Sequence, residues 1–298
     1  MIEVRVAGTD ADLEAWRSVR MAVLPDERAP TVDELRRSGA NGELYVLAEL
    51  DAALAGSGVA GRSTLEGMGF VAARVLPEAR RRGVGSAILR TLAAHVEELG
   101  FTRAFASVVD PGARVFTERF GFREIGRQVE QVRALGDEPE PDIPDGVEIA
   151  SLADRPELWR AAYDAVALDA FADLPVPSRA VVTRDEWESE WMTWPEGTFV
   201  ALVVEEVIGC AGLLRDEDHP WRAEHSLTAV RRDWRGRGVA SALKRTTIAQ
   251  AARAGMRELY TWTQDGNAAM RRLNEHLGYV TRRECVNLEA PLPLRDLG

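Results

Sequence analysis

Val230-Arg231-Arg232-Asp233-Trp234-Arg235-Gly236-Arg237-Gly238-Val239-Ala240 repeats, 155 positions on, the pattern of Val75-Leu76-Pro77-Glu78-Ala79-Arg80-Arg81-Arg82-Gly83-Val84-Gly85. In both copies an apolar, β-branched run leads into Arg-x-x-Gly-x-Gly/Ala, and an amphipathic segment follows. A strand that turns through glycines into a helix offers consecutive unpaired backbone N–H groups, and the glycines let a phosphate approach the chain closely. The spacing therefore predicts a pyrophosphate cradle, twice over.

The repeat extends beyond the cradle. Gly100-Phe101 matches Gly255-Met256 at the same offset, and Phe120-Gly121-Phe122 matches Leu277-Gly278-Tyr279 at an offset of 157. Between the copies, Leu135 to Gly146 holds three prolines and five acids with no apolar periodicity, the composition of a stiff, solvated linker. We place the first domain at 1–134, the linker at 135–146 and the second domain at 147–298. A length of 298 residues already favours two domains.

Composition narrows the partners. The formal net charge is −11, from 48 acids against 37 bases, which repels nucleic acid and anionic membrane. No apolar run reaches the roughly 20 residues of a membrane helix, and Met1-Ile2-Glu3-Val4-Arg5 lacks the layout of a signal peptide, so a cytoplasmic location is expected. Cys210 and Cys285 are the only cysteines and the four histidines are scattered, which leaves no disulfide framework and no expected metal site.

Each copy reads as a mixed α/β unit. A short strand (3–7; 147–151) leads to a helical stretch (11–24; 156–168), then a strand (44–49; 199–205) and a longer strand ending at Val75 or Val230. Ile88, Leu92, Val96 and Leu99 form one helical face, as do Val239, Leu243, Thr247 and Ala251. Gly100 and Gly255 close those helices. A strand (104–109; 258–263), a helix (113–120; 268–277) and a final strand complete a mixed central sheet flanked by helices.

A dinucleotide-binding loop is the competing reading, since Gly83-Val84-Gly85 and Gly236-Arg237-Gly238 open a GxGxxG pattern. Its third glycine position is filled by Ile88 and Ser241, however, and the loops are rich in arginine. The chain instead resembles a tandem member of the GNAT superfamily of acetyl-CoA-dependent N-acetyltransferases, most strongly from Thr228 to Val280. The resemblance implies two splayed parallel strands in each domain, with acetyl-CoA as co-substrate held in the gap. Backbone groups of Ala229 and Val230 would pair with the pantetheine arm, amides of Arg235, Gly236, Arg237, Gly238, Val239 and Ala240 would hold the pyrophosphate, and Asn267 would contact the arm. In the first copy Val75 and Arg80, Arg81, Arg82, Gly83, Val84 and Gly85 would do likewise. There Asp110, followed by Pro111-Gly112, replaces Asn267, which favours the second domain as the catalytic one. The position of the tyrosine that protonates the leaving thiolate in many members holds Asn274 and Thr117. The tandem layout is also that of members whose acceptor is the amine of a cysteinyl sugar.

The base is read from the residues. An alkyl ammonium of pKa ~10 presented as a free amine at neutral pH costs about 4 kcal/mol, which a positioned carboxylate or a water chain must help supply. Strand alternation, in the absence of a bulge, puts Glu224, Ser226 and Thr228 on the face of Val230. Glu224 lies six residues before Val230, the base position of the family's histone acetyltransferases, and Gly69 is its counterpart in the first copy. His225 and the segment Asp216 to His219 are fallback bases.

For the acceptor, Asp164, Asp169, Asp173, Asp185, Glu186, Glu188 and Glu190 accompany Phe171, Trp187, Trp191 and Trp194. They form either a funnel for a small cationic or sugar amine or the wet and buried faces of one helix. A small-molecule amine acceptor is the leading expectation. A protein lysine or N-terminal acetyltransferase and a non-catalytic acyl-CoA sensor are the alternatives.

Overall fold

A computed structural model of the chain describes residues 1–176 and 178–296, and these form two compact units. One comprises 1–127 with 285–298, the other 128–284.

The first unit opens with β1 (Ile2–Val6), α1 (Asp10–Val23) and α2 (Val32–Ala40), and both helices start at a threonine capping box. An antiparallel run of β2 (Leu44–Leu50), β3 (Ala53–Arg62) and β4 (Gly69–Val75) follows. β3 is rich in glycine for a packing reason. A Cβ on Gly56 or Gly58 would lie within 3 Å of Ile88, on the helix α3 (Val84–Glu98) that buries Ile88, Leu92 and Val96 against this sheet. β5 (Arg103–Val108) then runs parallel to β4, and α4 (Pro111–Arg119) precedes β6 (Arg123–Ala134). Pro111 takes the first turn of α4, where a missing N–H costs nothing, so Asp110-Pro111 starts the helix instead of disfavouring it.

The second unit repeats this order with β7 (Glu148–Ser151), α5 (Leu158–Ala162), α6 (Leu168–Ala172), α7 (Arg184–Glu190), β8 (Phe199–Val203) and β9 (Glu206–Arg215). β10 (Arg222–Val230), α8 (Val239–Arg253), β11 (Glu258–Gln264), α9 (Ala268–His276) and β12 (Val280–Pro291) complete the repeated order, and of β12 only the residues up to 284 belong to this unit. β7, β8, β9 and β10 are antiparallel neighbours, and β11 is parallel to β10. The segment between α5 and α6, Tyr163–Ala167, is a π-helical turn. Each unit is thus a mixed sheet with helices, as expected.

The compact units differ from the sequence repeats at their last strands. β6 begins in the first unit, but its residues 128–134 pair with β11 in the second. β12 does the converse, and its residues 286–291 pair with β5. The segment 135–146 is fastened to the second unit rather than free: Leu135 N–H donates to Arg257 O at 2.8 Å, and Glu138 takes both Arg133 nitrogens at 2.8 and 2.7 Å.

Because β5 gains its outer neighbour from the end of the chain, a fragment cut at residue 139 leaves that strand edge open. Expressed alone, the first fragment should aggregate or unfold at markedly lower temperature, and co-expression with 140–298 should restore a stable, monodisperse complex. Size exclusion and thermal unfolding decide the point, and a fragment 1–139 as stable as the full chain contradicts it.

Candidate active site

In the second unit the cradle is built from backbone. α8 begins at Gly238 (φ +83°), and Gly236 two residues earlier is also left-handed (φ +76°), a conformation that a Cβ strains. No side chain caps this helix, so its first N–H groups are directed at whatever lies before them. Arg235 Nε donates to Val230 O at 3.0 Å, tying the loop to the strand end, and its Nη1 lies 2.8 Å from Asp173. Arg232 reaches Asp173 and Asp169 at 2.7 and 3.3 Å. Hydrogen bonds from Arg232 and then Arg235 hold the Asp173 carboxyl down to about 2. The first unit shares the backbone: Gly83 (φ +90°) starts α3 uncapped, Arg81 takes the Gly236 position at φ +62°, and Arg80 Nε donates to Val75 O at 3.2 Å.

Beside the cradle the parallel pair comes apart. β10 and β11 are paired at Arg222/Glu258, Ala223/Leu259 and Glu224/Tyr260, and pairing stops there. Against β9, the register jumps from His225/Leu213 to Thr228/Ala211, so Ser226 and Leu227 together oppose Gly212. A bulge here releases backbone groups from the ladder where the strands diverge, and it inverts the alternation. Ala223 packs on α8 with Ile248 and Ala251, and Val230 packs on α8 with Val239 and Leu243. Ala229 and Leu227 pack on the other side, among Trp159 and Trp187. Glu224, between Ala223 and His225, therefore lies on the face opposite Val230. The shared face expected from unbroken alternation is corrected by the bulge. In the first unit β4 pairs with β3 in unbroken register, and a Cβ on Gly69 would meet Val96 of α3 at 2.2 Å. The counterpart of Glu224 there is Phe70, paired with Phe105 as Glu224 is with Tyr260, not Gly69.

The profile of the Acetyltransferase (GNAT) family matches residues 11–122 and 158–279, one match per repeat. The chain belongs to the GNAT acetyltransferase family. It is an acyltransferase of the tandem type. It is similar to proteins named mycothiol acetyltransferase from Geodermatophilus obscurus (28% identity, 88% of each chain) and Brachybacterium faecium (28% identity, 78% of this chain and 69% of that one). Among solved structures, a tandem GNAT protein from the clavulanic acid biosynthesis pathway superposes with a TM-score of 0.76 at 19% identity, over 99% of this chain and 100% of that one. A GCN5-related N-acetyltransferase from Sphaerobacter thermophilus does so at 0.75 and 20%, over 99% and 98%.

Within this GNAT cleft, half-buried Glu224 accepts the Tyr260 hydroxyl at 2.9 Å, and the buried Arg222 guanidinium lies 4.1 Å from the Tyr260 ring centroid. His225 points the other way, is buried, and meets the Tyr279 hydroxyl through Nε2. Burial, with Lys244 and Arg133 nearby, lowers its pKa well below the usual imidazole value and keeps the ring neutral. The Asp216–His219 pair closes the turn before β10, with His219 N–H on Asp216 at 3.1 Å. Asn267 caps α9, its Oδ1 accepting from Met270 N–H at 3.2 Å. Asn274 is fully buried and donates to Gln131 and Thr263 at 2.9 and 3.2 Å, while Thr117 bonds back into α4, so neither site supplies an acid.

The acidic stretch is mostly neutralised. Asp164 pairs with Arg184, Glu188 with Arg160, and Glu186 closes a capping box. The side chain of Glu190 lies outside the described residues. Trp187 is core, stacked 3.9 Å from Trp159, and Trp194 belongs to the α8 side, so the three tryptophans do not form one wall. Trp191 is half-buried against Phe171 and Trp187. Among the described residues no group of His, Cys, Asp and Glu is placed to hold a metal, and no helix is long and apolar enough to cross a membrane.

The sequence carries no local signal for the roles of Tyr260 and Lys244, and Asp173, read there as an acceptor-side acid, is instead paired with Arg232 and Arg235 of the cradle loop. Lys244 is the only lysine of the chain, buried on α8 with Nζ 5.3 Å from the Tyr279 ring centroid. Burial lowers its pKa from 10.5 to about 7. The unfolded chain therefore binds more protons than the folded one between about pH 7 and 10.5, so this group makes stability rise with pH across that window, by on the order of 5 kcal/mol. Lys244→Met should flatten the rise and raise Tm at pH 7, as pH-dependent denaturant titrations of both proteins will show. An unchanged profile contradicts a depressed lysine.

Proposed function

We propose that the second unit binds acetyl-CoA between β10 and β11 and transfers its acetyl group directly to a primary amine of a small, amino-sugar-like acceptor. The observation that carries this reading is the parallel pair that parts just past Glu224/Tyr260, beside an uncapped helix start with two left-handed glycines. Amides from Arg235 to Ala240 hold the pyrophosphate, and Ala229, Val230 and Asn267 line the arm. Backbone N–H groups released by the bulge polarise the thioester carbonyl, the arrangement that stabilises a developing oxyanion.

Glu224 takes the proton of the acceptor ammonium, and Tyr260 orients the carboxylate. The free amine attacks the thioester carbonyl, the C–S bond breaks as the tetrahedral adduct collapses, and the second proton of the attacking nitrogen passes to the departing thiolate through solvent, with no dedicated acid. That is chemically reasonable because a thiol of pKa near 8.5 leaves as an anion far more readily than an alkoxide. The face of Glu224 is the face of Leu227, and half-buried Trp191 packs against the same core cluster as Leu227, which offers an apolar or sugar body a ring on that side of the sheet. The neutralised acids favour a neutral sugar-like acceptor over a polycation. A thiol-bearing amino-sugar conjugate of the mycothiol kind is the first acceptor to try, since the curated relatives carry that name. The first unit, with Phe70 for Glu224 and no bulge in β4, is assigned no catalysis; its cradle, Val75 with Arg80 to Gly85, is a second acetyl-CoA site by the same backbone argument.

The test is CoA release from acetyl-CoA across amino-sugar thiols, aminoglycosides, polyamines, amino acids and lysine peptides. Turnover should be confined to sugar-type amines. Glu224→Gln should lose about 10²- to 10³-fold in kcat with acetyl-CoA affinity intact. Turnover by the variant equal to that of the native enzyme rejects the base, and turnover confined to lysine peptides rejects the acceptor class.

A further inference from the structure

The face of β4 opposite α3 is the first unit's version of the acceptor face, and its charge is reversed. Where the second unit presents Glu224, the first has Phe70; where the second has Ala229, it has Arg74. Phe70 and Ala72 pack on Trp16, Leu35 and Tyr45, and the Arg74 guanidinium lies 5.1 Å from the Trp16 ring centroid. Arg74 Nε and Nη1 are withdrawn from solvent and find no hydrogen-bond partner among the described residues. Arg20, one turn after Trp16 on α1, is close by and has the same defect at its Nε, while its Nη2 donates to Arg28 O at 2.8 Å.

The charges here do not balance. Arg28 is matched by Glu34 at 2.5 Å, and Arg20 has Glu27 at 3.6 Å, whereas for Arg74 no ion pair is found among the described residues. Desolvation, then the positive charge of Arg20, lowers the Arg74 pKa to about 9, with Glu27 and Tyr45 only partly offsetting this. Arg74 is half-buried as a residue, but two of its guanidinium nitrogens are closed off from solvent and unbonded, which is costly unless something accepts from them. The Tyr45 hydroxyl donates to Glu43 and takes no bond from Arg74 Nε or Nη1.

We propose that Arg74 and Arg20, walled by Trp16, form a binding site for a small organic or inorganic anion in the first unit, a carboxylate or a phosphate whose oxygens accept from the three orphaned donor nitrogens, Nε and Nη1 of Arg74 and Nε of Arg20. The guanidinium lies on the face away from α3, so this site is separate from the amides that start that helix. It is independent of the chemistry assigned to the second unit.

Thermal unfolding of the full chain in succinate, in inorganic phosphate and in chloride of equal ionic strength tests it. Succinate or phosphate should raise Tm by several degrees along a saturable curve, and the effective anion identifies the source. Arg74→Met should lose that rise while matching or exceeding the native Tm in chloride, because it removes an uncompensated cation with buried donors. Arg20→Gln, a milder change, should weaken the response at least tenfold in midpoint concentration. A rise that survives both substitutions places the anion in a cradle instead and overturns the proposal, as does the lack of any saturable response to either anion.

Discussion

The molecule depends on where one parallel ladder stops. Three residue pairs, Arg222/Glu258 to Glu224/Tyr260, hold β10 to β11, and beyond them each strand has lost its neighbour on that side. Backbone groups buried without partners are costly, so an opening of this kind persists where a ligand or water can complete the ladder. Everything nearby is arranged about that opening. The bulge at Ser226–Leu227 sends Glu224 to one face and His225 to the other, α8 points its uncapped start at the mouth, and Arg235 ties the loop to the strand end.

The two units show what the bulge contributes. Their cradles have closely matching backbones, with left-handed residues at Arg81 and Gly83 in one and at Gly236 and Gly238 in the other. The strands before those cradles differ by the single residue that the bulge adds. With it, the strand presents a carboxylate hydrogen-bonded to a tyrosine; without it, Phe70 fills the space and a guanidinium takes the place of Ala229. One inserted residue therefore separates a face suited to taking a proton from an amine from a face that repels one.

Much of this was legible in the sequence, and the parts that were not have physical reasons. The glycine turns that start α3 and α8, the closing glycines and the repeat are local patterns and stand where they were read, as do the helix faces apart from Leu99, which follows α3 and is exposed. β3 was passed over because its glycines, which make room for Ile88, erase the β-branched signature of a strand. Its hairpin to β2 turns through Asp51-Ala52, and that of β8 to β9 through Val204-Glu205, both at positive φ without the Asn-Gly that marks such turns. The exchange of β6 and β12 is a choice of partner, which no local pattern records. The bulge is equally silent: Glu224 was found by its spacing from Val230 but assigned to the wrong face, because alternation carries no mark where a residue is inserted. The tryptophans of 187–194 kept helical spacing although α7 ends at Glu190, so Trp194 serves another core.

The central claim is that the gap between β10 and β11 is where acetyl-CoA lies, and backbone hydrogen exchange reads it most directly. With saturating acetyl-CoA, amides of Thr228–Val230 and Gly236–Ala240 should slow together, and those of Gly83–Gly85 should slow as well if the first cradle fills. Unchanged exchange at 228–230 and 236–240 in the presence of bound acetyl-CoA would place the cofactor elsewhere and contradict the account.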